Sequence, residues 1–420
     1  MIGCCGVGIY TNKATSARKK SARRDVLARN YSLFFHNTKF LLDVRFYLTL
    51  FYAQCLGHLL ANDSLGFACE ARHFPSWRKF WLEVAKGKKK SLTARRMTRR
   101  TVLKTACTVG ATIVTGFGLA QQQTPRVKGP RVWLEMDQKE LDDAYDQSVW
   151  APNQRDVSKR RAVWSESIRA RLKSERFSYG PTEIEKLDVY KSTRWNAPIR
   201  IFIHGGAWRS GSAKDSAYPA ETFVTAGAHY IAVDFASVGD VGGNLIPMAE
   251  QVRRAVAWVY KNAASFGGDP NRLYLAGHSS GAHLAGVALV TDWRKDFSLP
   301  DDIVKGALLI SGMYDLKPVR LSKRSEYVKF TDEMEQALST QRHLEKLKTP
   351  IILAHGTLES PEFQRQTREF AAAVKAAGKP VQLLVGEGYN HFELPETLGN
   401  PSGLLGRAAL EQMKLVPGRT

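Results

Sequence analysis

Cysteine is scarce in this chain of 420 residues, and all five cysteines precede residue 121: Cys4, Cys5, Cys55, Cys69 and Cys107. The last 300 residues therefore contain neither a disulfide nor a cysteine nucleophile. They also lack the glycine patterns of phosphate-binding and dinucleotide-binding loops, and no group of residues has the spacing of metal ligands. The sequence thus predicts a protein that works without a metal or an organic cofactor.

Acidic residues are few at the amino-terminal end. The formal net charge is +21, of which residues 1–96 carry +13 and residues 97–120 carry +3. A basic leading segment therefore precedes a nearly balanced domain. Nucleic-acid or membrane-surface binding through residues 1–120 is an alternative reading, and it predicts a salt-dependent interaction that is lost without them. We expect no nucleic-acid partner for the domain itself.

Long apolar runs are missing as well. The paired Arg99 and Arg100 stand before an apolar run of about 14 residues, Ala106 to Leu119, shorter than the ~20 that span a membrane. Residues 97–120 resemble a twin-arginine export signal, which predicts a periplasmic or secreted protein that begins near Gln121. The alternative is a cytoplasmic protein in which a core helix follows a basic patch. Because such signals begin close to their own methionine, we expect Met97 to be the start and residues 1–96 to be no part of the native protein.

From about residue 130, short apolar runs alternate with helical patterns, which predicts a parallel sheet covered by helices on both faces. The predicted strands are Glu185–Lys191, Ile199–His204, Tyr230–Phe235, Leu273–Gly277, Gly306–Ser311, Ile351–Ala354 and Gln382–Val385. Apolar residues at helical spacing predict a helix over Ala249–Ala264 that ends at a Gly-Gly-Asp-Pro sequence. The more polar residues 313–349 interrupt the strands and predict a small helical cap that shapes the pocket.

The segment Gly277-His278-Ser279-Ser280-Gly281 follows a predicted strand and begins a helical run. This is the context of a nucleophile elbow, in which glycines flank a serine on a strained turn and the helix amino terminus faces a developing oxyanion. We therefore predict an α/β-hydrolase fold with Ser279 as nucleophile. An ordinary strand-to-helix turn is the alternative.

The segment His204-Gly205-Gly206-Ala207-Trp208 also follows a predicted strand, where this fold keeps the loop that completes the oxyanion hole. We predict that the backbone N–H groups of Gly206, Ala207 and Ser280 bind the oxyanion.

The general base must be a histidine late in the chain, because this fold orders its triad as nucleophile, acid, histidine. His391 follows the last predicted strand and is our candidate, whereas His343 lies in the cap and His355 at a strand end. His278 and His283 flank the serine, and we expect them to support the site. For the acid, Glu359 follows the penultimate strand, with Asp315 and the helix-capping Glu362 as its rivals.

Together these segments resemble the branch of α/β hydrolases that includes kynurenine formamidases and related carboxylesterases, over about residues 140–415. The quoted motifs are joined by Phe266-Gly-Gly-Asp-Pro270, Ser311-Gly-Met-Tyr-Asp315, Glu359-Ser-Pro-Glu-Phe363 and Asn390-His-Phe392. The resemblance implies that the residue before Ser-Pro-Glu-Phe is the triad acid, which favours Glu359, a glutamate where the formamidases usually have aspartate.

The predicted reaction is acyl transfer from a small-molecule substrate through an acyl-enzyme on Ser279. Because an exported protein fits poorly with tryptophan breakdown in the cytosol, we expect hydrolysis of small or aryl carboxylic esters. Hydrolysis of N-formylkynurenine-like formamides is the first alternative. A non-catalytic binding protein of the same fold is the second, although such a protein would be expected to have lost Ser279 or His391. The sequence does not indicate an oligomeric state.

Overall fold

The computed structural model describes residues 126–415. The basic segment 1–96 and the predicted export signal 97–120 lie outside these residues, so both interpretations stay predictions. Among the described helices, none combines the length and the apolar character needed to cross a membrane.

Ten strands are present in the described residues. They are β1 (Arg131–Trp133), β2 (Met136–Asp137), β3 (Ser174–Ser178), β4 (Lys186–Tyr190), β5 (Ala197–Ile203), β6 (His229–Val233), β7 (Gly268–His278), β8 (Val304–Ile310), β9 (Ile351–Gly356) and β10 (Val381–Gly386). The first two form a small antiparallel ribbon. The other eight form one sheet in the order β10-β9-β8-β7-β5-β6-β4-β3.

The sheet is parallel from β10 to β6 and antiparallel at β4 and β3. Its helices are α1 (Gln138–Ala144), α2 (Gln147–Trp150), α3 (Gln154–Arg171), α4 (Ala220–Thr225), α5 (Leu245–Asn262), α6 (Ser280–Leu289), α7 (Trp293–Phe297), α8 (Lys317–Leu321), α9 (Asp332–Leu338), α10 (Pro361–Ala376) and α11 (Leu404–Gln412). Short 3₁₀ helices cover Lys214–Ser216, Ala263–Phe266, Lys323–Glu326, Thr340–Lys346 and Leu394–Gly399. The prediction of an α/β-hydrolase fold with a mostly parallel sheet is confirmed.

Two apolar cores lie on opposite faces of the sheet, and the alternation of side chains along each strand feeds both of them. On β5, Ile199, Ile201 and Ile203 belong to one core, while Phe202 belongs to the other. Because both faces of the central strand β5 are covered, this strand is apolar at every position except Arg200. All seven residues of β5 are buried.

In helix α5, which packs on one face of the sheet, the local sequence determines both ends of the helix and its buried face. The Asn244 side chain accepts a hydrogen bond from the Ile246 amide at the amino terminus of the helix. Buried apolar residues recur along one face, including Leu245, Val252 and Val259. The following 3₁₀ helix ends at Gly267, whose φ of 85° reverses the chain into β7.

The predicted cap, residues 313–349, consists of α8, α9 and two 3₁₀ helices. The carboxyl ends of β5, β7, β9 and β10 all lie at one edge of the parallel sheet, because parallel strands run in the same direction. Each predicted site segment follows one of these four ends, so the sheet brings them together.

Candidate active site

Ser279 stands on a tight turn between β7 and α6. Its φ of 55° and ψ of −123° are strained for a residue with a side chain, and its amide donates to the Ile310 carbonyl at 2.8 Å. A Cβ at Gly277 would lie 2.4 Å from the Gly281 carbonyl oxygen, and one at Gly281 would lie 2.2 Å from the Ile203 carbonyl oxygen. The two glycines therefore allow the serine to project from the end of the sheet.

A continuous hydrogen-bonded chain links Ser279, His391 and Glu359. The Ser279 Oγ lies 2.9 Å from His391 Nε2, and His391 Nδ1 lies 2.8 Å from Glu359 Oε2. Ser279, His391 and Glu359 are 5%, 2% and 1% exposed, so these hydrogen bonds are shielded from bulk water. With Nδ1 donating to the carboxylate, Nε2 is left as an acceptor for the serine proton. The arrangement can activate a hydroxyl nucleophile.

The second carboxylate oxygen of Glu359 is also held in place. Its Oε1 accepts from the Gly356 amide and from the Ser311 hydroxyl, both at 2.7 Å. These two donors and the imidazole N–H fix the carboxylate in a buried site, where an unsatisfied charge would be costly.

The rival acids face elsewhere. Glu362 accepts from Nε and Nη2 of Arg365 and from the Tyr145 hydroxyl. Asp315 accepts from the Lys317 amide and from Arg342. Of the three carboxylates weighed from the sequence, only Glu359 contacts His391.

Two further histidines, His278 and His283, are buried next to the site and make hydrogen bonds that hold its neighbouring segments in place. His278 lies 2.9 Å through Nε2 from the His391 carbonyl oxygen, and burial holds the pKa of His278 well below its ordinary 6.5. His283 accepts at Nδ1 from the Trp208 indole N–H and donates from Nε2 to the Leu338 carbonyl, and burial lowers the pKa of His283 to about 4. Both rings are therefore neutral near pH 7 and act as fixed hydrogen-bonding groups.

His343 and His355 are not part of this arrangement. His343 Nε2 contacts the Gln336 carbonyl in the cap, and His355 Nδ1 contacts the carbonyl of its neighbour Gly356. Among the late histidines, the sheet brings only His391 to Ser279.

The loop after β5 faces the serine from the other side. Gly206, Ala207 and Trp208 all have positive φ, at 123°, 55° and 63°, so the chain turns sharply here. The Trp208 amide donates to the Ser280 hydroxyl at 3.1 Å, which ties this loop to α6. The amides of Gly206, Ala207 and Ser280 have no acceptor among residues 126–415. They are thus available to an anion beside Ser279.

A cavity of about 930 Å³ opens over Ser279 and His391. The part of the predicted cap that lines it is the segment Lys323–Tyr327. Much of the remaining wall comes from residues before the sheet, which the sequence analysis did not assign to the site: Tyr145, Asp146, Gln147, Ser148, Gln154, Ser158, Arg161 and Ala162. No local motif marks these residues, since chain folding alone brings them over the serine.

The described residues hold no group of three or more histidine, cysteine, aspartate or glutamate side chains that could bind a metal ion. The chemistry that this site can perform with its own groups is therefore nucleophilic and acid–base chemistry at Ser279 and His391.

Comparison with known proteins places the chain among hydrolases. A family model described as BD-FAE matches residues 187–307. Kynurenine formamidase of Danio rerio is 35% identical over 295 residues, which cover 67% of this chain and 98% of that protein. The chain belongs to the kynurenine formamidase family of α/β hydrolases. The kynurenine formamidase of Salmo salar is 34% identical over 283 residues, which cover 63% of this chain and 93% of the salmon protein.

More distant relatives of this formamidase-family protein are esterases. The isoprenylcysteine alpha-carbonyl methylesterase of Arabidopsis thaliana is 26% identical over 51% of this chain and 56% of its own. Among solved structures, a protein of Silicibacter sp. provisionally assigned as a thioesterase has a TM-score of 0.56 at 22% identity, covering 63% of this chain and 96% of its own. That likeness shows the fold alone.

Proposed function

We propose that this protein is a serine hydrolase that removes the formyl group from formamides of aromatic amines, with Ser279, His391 and Glu359 as its triad. The observation that carries the acyl-transfer chemistry is the buried chain Ser279–His391–Glu359 with contacts of 2.9 and 2.8 Å. The observation that favours a formamide is the 35% identity to a kynurenine formamidase along 98% of that enzyme. The methylesterase relative matches over only 56% of its length.

In the first half of the reaction, Ser279 Oγ attacks the formyl carbon while His391 Nε2 takes the hydroxyl proton. The carbonyl oxygen becomes an oxyanion, which the amides of Gly206, Ala207 and Ser280 bind. The C–N bond then breaks, His391 gives its proton to the departing amine nitrogen, and the formyl group stays on Ser279 as an ester.

In the second half, water replaces the amine. His391 takes a proton from the water, the hydroxide attacks the formyl-serine ester, and a second tetrahedral species collapses. The bond to Ser279 Oγ breaks, His391 returns the proton to that oxygen, and formate leaves. Glu359 stays ionised throughout and stabilises the imidazolium that forms twice in each cycle.

A second candidate activity, hydrolysis of small or aryl carboxylic esters, uses the same steps with an alcohol as leaving group. The esterase relatives favour it, and it is the activity that the sequence analysis placed first. Because an alcoholate leaves more readily than an amide nitrogen, the two candidates differ in the demand they place on proton donation by His391.

The test is hydrolysis of N-formylkynurenine, p-nitrophenyl acetate and p-nitrophenyl butyrate by the full chain, by Ser279→Ala and by a control, Ser265→Ala. Ser265 is an exposed serine whose hydroxyl donates to the Asn262 carbonyl, and it precedes the amino end of β7, whereas Ser279 follows the carboxyl end of that strand. We expect the full chain to hydrolyse at least one substrate. Ser279→Ala should lower its kcat on the order of 10⁶-fold, and Ser265→Ala should leave it unchanged.

Each outcome decides a separate point. A kcat/KM for the formyl substrate above that for both esters supports formamide hydrolysis, whereas the reverse order supports the ester activity. Turnover that persists in Ser279→Ala would reject the proposed nucleophile, and absence of turnover on all three substrates would reject the proposed function.

A further inference from the structure

Strand β10 forms one edge of the eight-stranded sheet, and β9 is its one neighbour in the described part of the chain. The carbonyls of Pro380 and Gly386 accept from backbone amides on the β9 side, at 3.1 and 3.0 Å. Backbone groups alternate between the two sides of a strand, so the odd-numbered residues in between direct their N–H and C=O groups to the open side. These residues are Val381, Leu383 and Val385. Outside the sheet, their backbone groups have no hydrogen-bond partner among residues 126–415.

The side chains along this edge are apolar and partly exposed. Leu383 is 37% exposed and Val385 is 41% exposed. From Val381 to Gly386 the strand contains no charged residue. An apolar edge with free N–H and C=O groups is a template for pairing with another strand, and native proteins cover such edges or place charges on them.

The opposite edge of the sheet, strand β3, carries charges. Its Arg176 pairs with Asp188 and Asp234, and its Glu175 pairs with Lys191. Charged side chains on an edge oppose the addition of a further strand. Strand β10 lacks this protection, so it is the edge of the sheet that a partner would cover.

The open side of β10 is complementary to a second copy of itself. In an antiparallel pair, two residues that exchange hydrogen bonds lie directly opposite each other. A two-fold axis at Leu383 places this residue opposite its own copy and places Val381 opposite Val385 of the second copy. All three outward-facing residues then pair with one another. A shift of the axis by one residue would leave one of them opposite a residue outside the strand.

The same register brings opposite charges together. Lys379 precedes Leu383 by four residues and Glu387 follows it by four, so each lies opposite the other in the second copy. Glu387 is exposed and forms no salt bridge within residues 126–415. The Lys379 ammonium donates to the Leu347 carbonyl at 2.6 Å, which leaves further N–H groups for a carboxylate. A parallel arrangement would instead set like charges side by side, which is unfavourable.

The apolar surface continues beyond the strand. A stable dimer buries about 800 Å² of each copy, more than a single strand edge supplies. Leu358 and Tyr389 are 52% and 36% exposed, and the Leu358 amide donates to the Tyr389 carbonyl at 3.1 Å. They therefore extend the apolar surface at the carboxyl end of β10. Residues 379–389 do not line the active-site cavity, so this surface is separate from the site.

We propose that this protein forms a two-fold symmetric dimer in which β10 of each copy pairs antiparallel with β10 of the other, about an axis at Leu383. The sheet of one copy then continues into the sheet of the other, and the open edge is removed. The inference does not depend on the proposed function, because it uses no residue of the triad and its test measures no turnover.

The first test is the mass of the full chain in solution, measured by analytical ultracentrifugation over a range of concentrations. The variants are Leu383→Lys, Lys379→Glu, Glu387→Lys and the double exchange of both charges. The control is Val163→Lys, which changes an apolar residue of α3 that is 59% exposed.

We expect the wild type and the control to be dimers. Leu383→Lys places two ammonium groups at the axis and should raise the dissociation constant about 100-fold or more. Each single charge reversal sets like charges opposite each other twice per dimer and should raise it about ten-fold. The double exchange restores opposite charges and should return the constant to within about three-fold of the wild type.

Cross-linking with a carbodiimide tests the register directly. This reagent joins a carboxylate to an amine only when the two are in contact, and Lys379 and Glu387 of one chain lie about 25 Å apart along an extended strand. A link between these residues must therefore connect two copies. We expect mass spectrometry to find the linked peptides in the wild-type dimer and not in Leu383→Lys.

A wild type that remains a monomer at about 100 μM would overturn the proposal. A dimer that is unchanged in Leu383→Lys and in both single reversals would place the interface on another surface and reject the assignment to β10. A double exchange that binds no better than the single reversals would reject the antiparallel register. Urea unfolding of each variant separates loss of the dimer from loss of the fold. If Leu383→Lys does not fold, the charge exchanges and the cross-link still decide.

Discussion

The exchange Glu359→Gln preserves the shape of the side chain and removes its charge. The carboxylate accepts three hydrogen bonds, from Gly356 N–H and the Ser311 hydroxyl at Oε1 and from His391 at Oε2. The Gly356 amide is a donor only, so it will retain the amide oxygen of the glutamine. The glutamine NH₂ group must then face His391 Nδ1.

This orientation forces the wrong tautomer on the imidazole. With a donor facing Nδ1, the ring proton moves to Nε2, which lies 2.9 Å from the Ser279 hydroxyl and can no longer accept its proton. An exchange that enforces this tautomer in a serine–histidine–acid triad lowers kcat on the order of 10⁴-fold, equivalent to about 5.5 kcal/mol in the activation barrier. We expect the same magnitude here, with KM little changed.

The assay is kcat for the fastest substrate of the full chain, measured beside Asp315→Asn as a matched control. Asp315 was a rival acid in the sequence, but its carboxylate contacts the Lys317 amide and Arg342. We expect Asp315→Asn to keep kcat within about two-fold, as a change away from the reacting groups should. A Glu359→Gln protein that is folded and retains more than about a tenth of wild-type kcat would refute the tautomer argument.

Two further predictions concern the elbow and its support. Gly281→Ala places a Cβ 2.2 Å from the Ile203 carbonyl oxygen, so we expect it to lower the free energy of unfolding by about 3 kcal/mol or more and to abolish activity. The control Gly239→Ala, whose new Cβ has its nearest atom at 3.6 Å, should change neither quantity. Urea unfolding of both variants checks this, and a Gly281→Ala protein of unchanged stability would contradict it. His283 is neutral in the fold down to about pH 4, while the unfolded chain binds a proton near pH 6.5. The free energy of unfolding therefore falls as pH decreases through this window, by about 1.4 kcal/mol per pH unit at most and about 3 kcal/mol in all from this residue. His283→Gln should reduce this dependence on pH. Urea unfolding at pH 7, 5.5 and 4.5 measures it, and an equal dependence in the wild type and in His283→Gln would argue against this origin.

Local sequence predicted the strands of the sheet because the segments covered on both faces, such as Leu273–Gly277 of β7, are largely apolar. Each of the seven predicted strands overlaps an observed one. The edge strand β3 was missed, since four of its five residues are exposed and Phe177 is its one large apolar residue. Helix α5 begins at Leu245, four residues before its predicted start. The helix can include Pro247 because this residue falls in the first turn, where a backbone N–H would have no intrahelical partner.

The turn that carries Ser279 and the loop after β5 were visible in the sequence because steric demands fix their glycines at set positions. Ser279 and His391 could be named since each follows the end of a parallel strand, and Glu359 was chosen over its rivals with the help of the family resemblance. The structure brings the three into contact. The cavity wall could not be predicted in the same way. Arg324 contacts the carbonyl of Tyr145, 179 positions earlier in the chain, and a contact over that separation leaves no periodic trace in sequence.

The most direct test of the account is covalent labelling of the full chain with a fluorophosphonate, followed by mass spectrometry of its peptides. Such a reagent modifies a serine only where a neighbouring base activates it. We predict one label per chain, located on Ser279, with complete loss of activity; Ser280→Ala should still be labelled and Ser279→Ala should not. A label on another residue, or a fully labelled Ser279 in a protein that remains active, would contradict the assignment of Ser279 as nucleophile.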